Sequence, residues 1–246
     1  MLSTLIKKST RICSLVILVF VISFQAQNIH AEGASTTVLI SDSLSGWTMN
    51  TDPRMKDPKI YWTIGSAKID PKDSEKLLVS KSIFDTPMLI NPKKSEADIY
   101  TKQVFGDCTV ELEVMVPKGS NSGIYLMGQY EVQVKDSFGK EWFLGNSDMG
   151  GIVGTSKPKN NVAKKPGEWQ DFLIEFKAPR FKNGRRLTPA KFVRVVLNGQ
   201  LIQENVLMKK GPTSGARRKG EFEKGPLMLQ GGLGAVAYRN IRIQSK

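Results

Sequence analysis

The densest run of chemically capable side chains lies between residues 121 and 137, NSGIYLMGQYEVQVKDS. As two strands meeting near Gly128, it places Tyr130, Val132 and Val134 on one face. Glu131, Gln133 and Lys135 fall on the other, with Asp136 at the strand end. A carboxylate, an amide and an ammonium in one row suit the gripping of sugar hydroxyls. Glu131 and Asp136 could also serve as general acid and general base if burial separates their pKa values. Their offset is odd, so a regular strand points them to opposite faces, and a bulge or turn before Asp136 is needed to unite them. The same alternation is what the wet face of an ordinary strand shows. Trp169, just after Pro166-Gly167-Glu168, is open to two roles, a sugar-stacking platform or a core residue opening the next strand. Asp148 or Asn146 could ligate calcium from a loop, although no dense acidic ligand run accompanies them.

Composition closes several other chemistries. The only histidine is His30, in a segment expected to be removed. The remaining chain therefore cannot build a Ser–His–Asp or Cys–His arrangement, nor a histidine-ligated zinc site. One cysteine is left, Cys108, which precludes a disulfide within the mature chain. It sits at an apolar position of a strand-like run and is expected to be buried and inert.

The elements that must position these residues are strands. In CTVELEVMV, Cys108, Val110, Leu112, Val114 and Val116 alternate with Thr109, Glu111 and Glu113. In DFLIEFK, Phe172, Ile174 and Phe176 share a face. Residues 192–197 and 236–243 read as further strands, and Asn198-Gly199 between apolar runs predicts a hairpin leading into LIQENV. Strands are also expected at 37–40, 60–69, 76–80, 87–90, 98–104, 122–127 and 129–135. No helical periodicity or internal repeat interrupts them. Many strands with one-sided alternation and Gly, Pro and Asn turns predict an all-β fold, a two-sheet antiparallel β-sandwich. The segments 155–168 and 208–225 read as basic, polar surface excursions.

The N-terminus carries Lys7, Lys8 and Arg11, then an apolar run from Ser14 to Phe24, then QAQNIHAEG. This order is that of a secretory signal peptide, and the run is shorter than the ~20 residues of a membrane span. Cleavage after Ala31 makes residues 1–31 the signal peptide and 32–246 a single domain, secreted or periplasmic, with no further membrane association. The segment removed holds three basic and no acidic residues. The rest carries 33 basic against 23 acidic residues, a net charge of +10. The basic residues are spread along the chain without a nucleic-acid motif, so a carbohydrate partner is expected and nucleic acid is not.

Several stretches together carry a family resemblance: NSGIYLMGQYEVQVKDSFG, AKKPGEWQDFLIEFKAPRF, VVLNGQLIQENV, GPT and GPLMLQGG followed by VAYRNIRI, with DSLSGWTM as an opening strand. In this order the chain resembles the 3-keto-disaccharide hydrolase domain family over roughly residues 37–245. That family is a concanavalin-like, laminin-G-like jelly roll of secreted bacterial proteins. The resemblance implies action on, or binding of, glycosides oxidised at carbon 3. The keto group acidifies the neighbouring C2 proton, so the glycosidic bond breaks by elimination followed by addition of water, often with a metal polarising the ketone. Carried over by position, Glu131 and Asp136 would be catalytic. Tyr125, Gln133 and Asp148, carried over likewise, would meet substrate, joined by Gln129, Lys135 and Trp169 from their own places in the chain, with a divalent metal such as calcium as the candidate cofactor. The chain departs from the pattern at Met149 and Val153, where Cys and Tyr are usual, and at Met127 and Gln129, where Arg is frequent. It also departs at Gly231-Gly232, where Asp-His is expected. Two functions follow: a secreted glycoside-cleaving hydrolase using carboxylates, or a non-catalytic carbohydrate-binding module that has lost the family's histidine.

Overall fold

Alternating apolar residues flanked by tight turns give sixteen strands in the computed structural model, which describes residues 36–39, 43–50, 62–82, 86–93, 97–217, 219–231 and 233–246. The expected signal peptide, His30, Asn50's side chain and Gly232 lie outside the described residues. In chain order the strands are β1 (Thr36–Val38), β2 (Trp47–Asn50), β3 (Thr63–Asp70), β4 (Asp73–Ser80), β5 (Met88–Asn91), β6 (Asp98–Thr101), β7 (Cys108–Met115) and β8 (Asn121–Leu126). They continue as β9 (Tyr130–Lys135), β10 (Gln170–Lys177), β11 (Arg180–Lys182), β12 (Arg185–Thr188), β13 (Lys191–Leu197), β14 (Gln200–Leu207), β15 (Met228–Leu229) and β16 (Val236–Ser245). Among the described residues there is no helix.

The strands form two antiparallel sheets and a small β11–β12 ribbon. One sheet runs β14-β13-β10-β7-β16-β5-β3-β4, with β1 added beside β16; the other runs β2-β6-β15-β8-β9. The fold is an all-β sandwich of the jelly-roll kind. Its core follows from strand parity. Val110, Leu112, Val114, Phe172, Ile174 and Phe176 from the larger sheet meet Ile99, Ile124, Leu126, Val132, Val134 and Leu229 from the smaller in one buried cluster. Glu113 and Glu175 fall on the opposite face of the larger sheet, paired with Arg239 and Arg194.

The expected hairpin at Asn198-Gly199 is present. Both residues take positive φ, 51° and 79°, which a two-residue turn between twisted strands requires. Two elements were not expected: β15, which is two residues long, and the largely exposed β11–β12 ribbon. Trp47 and Trp62 are buried, their indole N–H groups donating to Leu39 O and Ala97 O, each at 2.9 Å. Cys108 is buried, and burial pushes its thiol up to about 12, so it is unreactive.

Ile174 lies in β10, inside the larger sheet, and has no solvent exposure. Ile174→Ala removes methyl groups that the surrounding side chains cannot replace by collapse. It should lower the unfolding free energy by about 2–5 kcal/mol, measured by urea denaturation.

Candidate functional site

The outer face of the smaller sheet, away from the core, carries the polar residues. The register aligns them in a row across the strands. Thr48 pairs with Tyr100, Tyr100 with Met228, Met228 with Tyr125, and Tyr125 with Glu131. The adjoining row holds Gly123 opposite Gln133, and Gly123 O accepts the amide of Gln230 at 3.0 Å. Lys135 pairs with Asn121 at the end of β9. The outer edge of β9 is covered by a further backbone segment: Gln133 N donates to Gly151 O, Gly150 N to Gln133 O and Val153 N to Glu131 O.

Glu131 is the centre of this face and is 4% exposed. Its carboxylate fits because position 123 has no side chain. A Cβ at Gly123 would stand 2.5 Å from Glu131 Oε1 and 2.9 Å from the Tyr125 ring. Segment 213–217 crosses above the row. Thr213 Oγ1 accepts the Glu131 amide at 3.1 Å, and Gly215 lies so close to the Tyr125 hydroxyl that a Cβ there would stand 2.4 Å from it. Arg217 sits over the Tyr100 ring, 3.7 Å from its centroid.

Burial raises the Glu131 pKa to about 7. A hydrogen bond from the Tyr125 hydroxyl opposes this, and the charge of Asp98 adds to it. Tyr125 is pushed well above the usual phenol range by burial and by Glu131, so it remains protonated. Burial also raises Asp98, while the Gly231 amide, donating to Asp98 Oδ1 at 3.0 Å, opposes the rise. The amide oxygens of Asn121, Gln129, Gln133 and Gln230 are buried and accept no hydrogen bond. All four belong to this face or its margin.

The structure brings Glu131, Tyr125, Gln133 and Lys135 together on one face and places Gln129 beside them, its side-chain amide donating to Gly220 O. It does not bring Asp136 there. The β8–β9 register has no bulge, so the odd offset stands. The Asp136 carboxylate instead accepts the amides of Gly119 at 2.9 Å and Phe138 at 3.3 Å, as a turn clamp. The carboxylate whose charge reaches Glu131 is Asp98, which the sequence reading placed in a strand but did not single out. Asp148 is also absent from the face. It is buried against Lys140 Nζ at 2.6 Å and the Gly145 amide at 2.7 Å. Burial opposes its ionisation, but these two partners hold its carboxyl below the usual range, as a loop clamp. Trp169 belongs to the other sheet, packed on the small cluster of Leu77, Ile90, Met115 and Ala237 with Arg239 4.1 Å above its ring.

With this geometry in place, comparison with known proteins is decisive. A family model described as 3-keto-alpha-glucoside-1,2-lyase-like domain matches residues 35–244. The chain belongs to this family. Three solved structures from Parabacteroides distasonis ATCC 8503, each described provisionally as a glycosyl hydrolase, share its fold. The first is 28% identical with a TM-score of 0.63, covering 86% of this chain and 84% of that one. The second is 17% identical with a TM-score of 0.56, covering 86% and 94%. The third is 19% identical with a TM-score of 0.52, covering 86% and 100%. No curated protein matches the sequence. Family and neighbours indicate a sugar-processing protein of the glycosyl hydrolase or lyase kind.

The family's departure at position 231 has a steric basis here. A Cβ at Gly231 would stand 2.3 Å from Ala97 O and 2.9 Å from Trp62 Nε1, so this backbone admits no side chain. Asp98, on the neighbouring strand, supplies the carboxylate at that corner.

Because the folded pKa of Glu131 lies above its ordinary value of 4.5, folding favours the protonated acid. The group costs nothing below about pH 4 and costs about 3 kcal/mol once pH exceeds 7. Glu131→Gln removes that penalty. Relative to wild type, the variant should gain about 3 kcal/mol of stability between pH 4 and pH 8, read from urea denaturation at both pH values.

Proposed function

We propose that this protein cleaves glycosides carrying a ketone at carbon 3, with Glu131 as the proton-accepting base. The observation that carries this reading is one buried face holding a carboxyl of pKa about 7, a protonated phenol and unpartnered amide oxygens. Buried polar atoms without partners are rare in folded proteins, and acceptors grouped around a titratable carboxyl suit a hydroxyl-rich ligand.

In the reaction the ketone makes the C2 hydrogen acidic. Glu131, substantially ionised at neutral pH, takes that proton. The C2 electron pair forms a double bond to C1 as the C1–O bond breaks, the Tyr125 hydroxyl gives its proton to the leaving oxygen, and the proton taken by Glu131 passes along their hydrogen bond to restore the phenol. Stopping there is lyase chemistry; addition of water across the double bond completes hydrolysis. Gln133, Gln230 and Asn121 accept hydrogen bonds from sugar hydroxyls. Asp98 holds Glu131 toward the protonated state by its charge and is the second carboxylate of the site, in the place the sequence reading gave to Asp136.

The donors also suit calcium in kind, being hard oxygens. Asp98 and the amide oxygens of Gln133 and Gln230 are the residues that would hold it, leaving Glu131 free as the base, and a bound cation would polarise the sugar's carbonyl oxygen. The order of basic, apolar and small residues at the N-terminus supports action after export, in the periplasm or outside the cell.

The test is turnover of a 3-keto-disaccharide and its unoxidised counterpart, with calcium or with chelator, products being read by mass spectrometry. Release of a 3-keto monosaccharide or its unsaturated elimination product is expected. The rate should rise with pH through about 7, and Glu131→Gln should reduce it at least about a hundredfold. Absence of product from either substrate, with saturable sugar binding retained, would instead establish the binding module.

A further inference from the structure

At the opposite end of the row from Glu131 is a surface cleft of about 390 Å³, lined by Thr48, Tyr100, Thr101, Lys102, Arg217 and Pro226 among others. It lies on the same outer face of the smaller sheet. β9, β8, β15 and β6 are successive strands, so Tyr100 is three strand spacings, about 14 Å, from Glu131 along one register line. The two sites are joined above the sheet by one segment. Its Thr213 end holds the Glu131 amide, and its Arg217 end caps Tyr100.

Two cations, Lys102 and Arg217, line the cleft. Among the described residues, neither Arg217 nor Lys102 makes an ion pair. Arg217 is nevertheless held in place. Its backbone amide donates to Gly128 O at 2.9 Å, and its guanidinium rests on the Tyr100 ring. Stacking on an aromatic face fixes the plane of a guanidinium while leaving its N–H groups free to donate. Lys102 lies two residues beyond Tyr100, its backbone amide donating to Gly46 O at 3.0 Å. A pre-oriented guanidinium fork beside an ammonium, in a cleft with an aromatic floor, is the arrangement that recognises a carboxylate or sulfate on a sugar ring.

We propose that this cleft is an anionic-saccharide subsite, so that the preferred ligand is an acidic glycan whose charged ring lies at Arg217 and Lys102. The proposal rests on the carbohydrate reading above and narrows its substrate class. The free charge of the cleft explains its choice of ligand by local contact, and salt must therefore weaken it.

The test is calorimetric titration of the purified protein with three tetrasaccharides: cellotetraose, sulfated cellotetraose, and the corresponding β-1,4-linked tetraglucuronate. At low ionic strength at least one anionic ligand should bind about ten- to a hundredfold more tightly than cellotetraose, the ratio shrinking as sodium chloride is added. The two anionic ligands distinguish carboxylate from sulfate. Arg217→Gln and Lys102→Gln should each bring the ratio toward one, whereas Arg217→Lys should retain part of it. Lys102 has an exposed side chain, so its variant reports on binding even where substitution of Arg217 unsettles the covering segment. Equal binding of all three ligands, or a preference that survives both substitutions, overturns the subsite and leaves the carbohydrate reading standing. Failure of all three to bind also overturns the subsite, while the carbohydrate reading is decided separately by turnover of the 3-keto-disaccharide.

Discussion

Burial of a carboxyl group on the outer side of a sheet is the constraint from which the rest of the site follows. An ionised carboxylate seeks water or a cation. Glu131 is 4% exposed and makes no ion pair among the described residues; it has the Tyr125 hydroxyl, a backbone gap at Gly123 and a covering segment anchored through Thr213. That surrounding lifts its titration to about 7, where one group can both take and return a proton. The three conditions are interdependent. A side chain at 123 would expel the carboxyl, and opening the cover would hydrate it and return its pKa toward 4.5.

Rigidity for this arrangement comes from behind. The residues alternating with Glu131 and Gln133 are Tyr130, Val132 and Val134, each without solvent exposure, packed against the larger sheet. A close-packed core of this kind resists rotation of the strand, so the polar side chains on its other face keep their spacing. The clamps at Asp136 and Asp148 serve the same end. Each spends its carboxylate on loop amides, and Asp148 adds Lys140, which fixes the segments entering and leaving the site.

The chain also shows how a site tolerates departure from its family's pattern. Gly231 and Gly232 replace an expected Asp-His pair, and the backbone at 231 has closed against Ala97 and Trp62. A carboxylate is nevertheless present, donated by Asp98 from the adjacent strand and capped by the Gly231 amide. The two carboxyls on this face, Glu131 and Asp98, both have their titration governed by burial.

The sequence by itself determined the sheets' two faces, the Asn198-Gly199 hairpin and the buried cysteine. Each is a matter of local alternation or of composition, which short-range pattern records faithfully. It left Asp136 as a candidate, conditional on a bulge that the register does not contain. Tertiary structure alone decided that the charge of Asp98 reaches Glu131, that Trp169 packs on the far sheet, that Asp148 is a clamp, and that residues 213–217 cover the row. Those facts depend on which strands lie side by side. β6, β15, β8 and β9 are drawn from distant parts of the chain, joined by hydrogen bonds that no local spacing encodes.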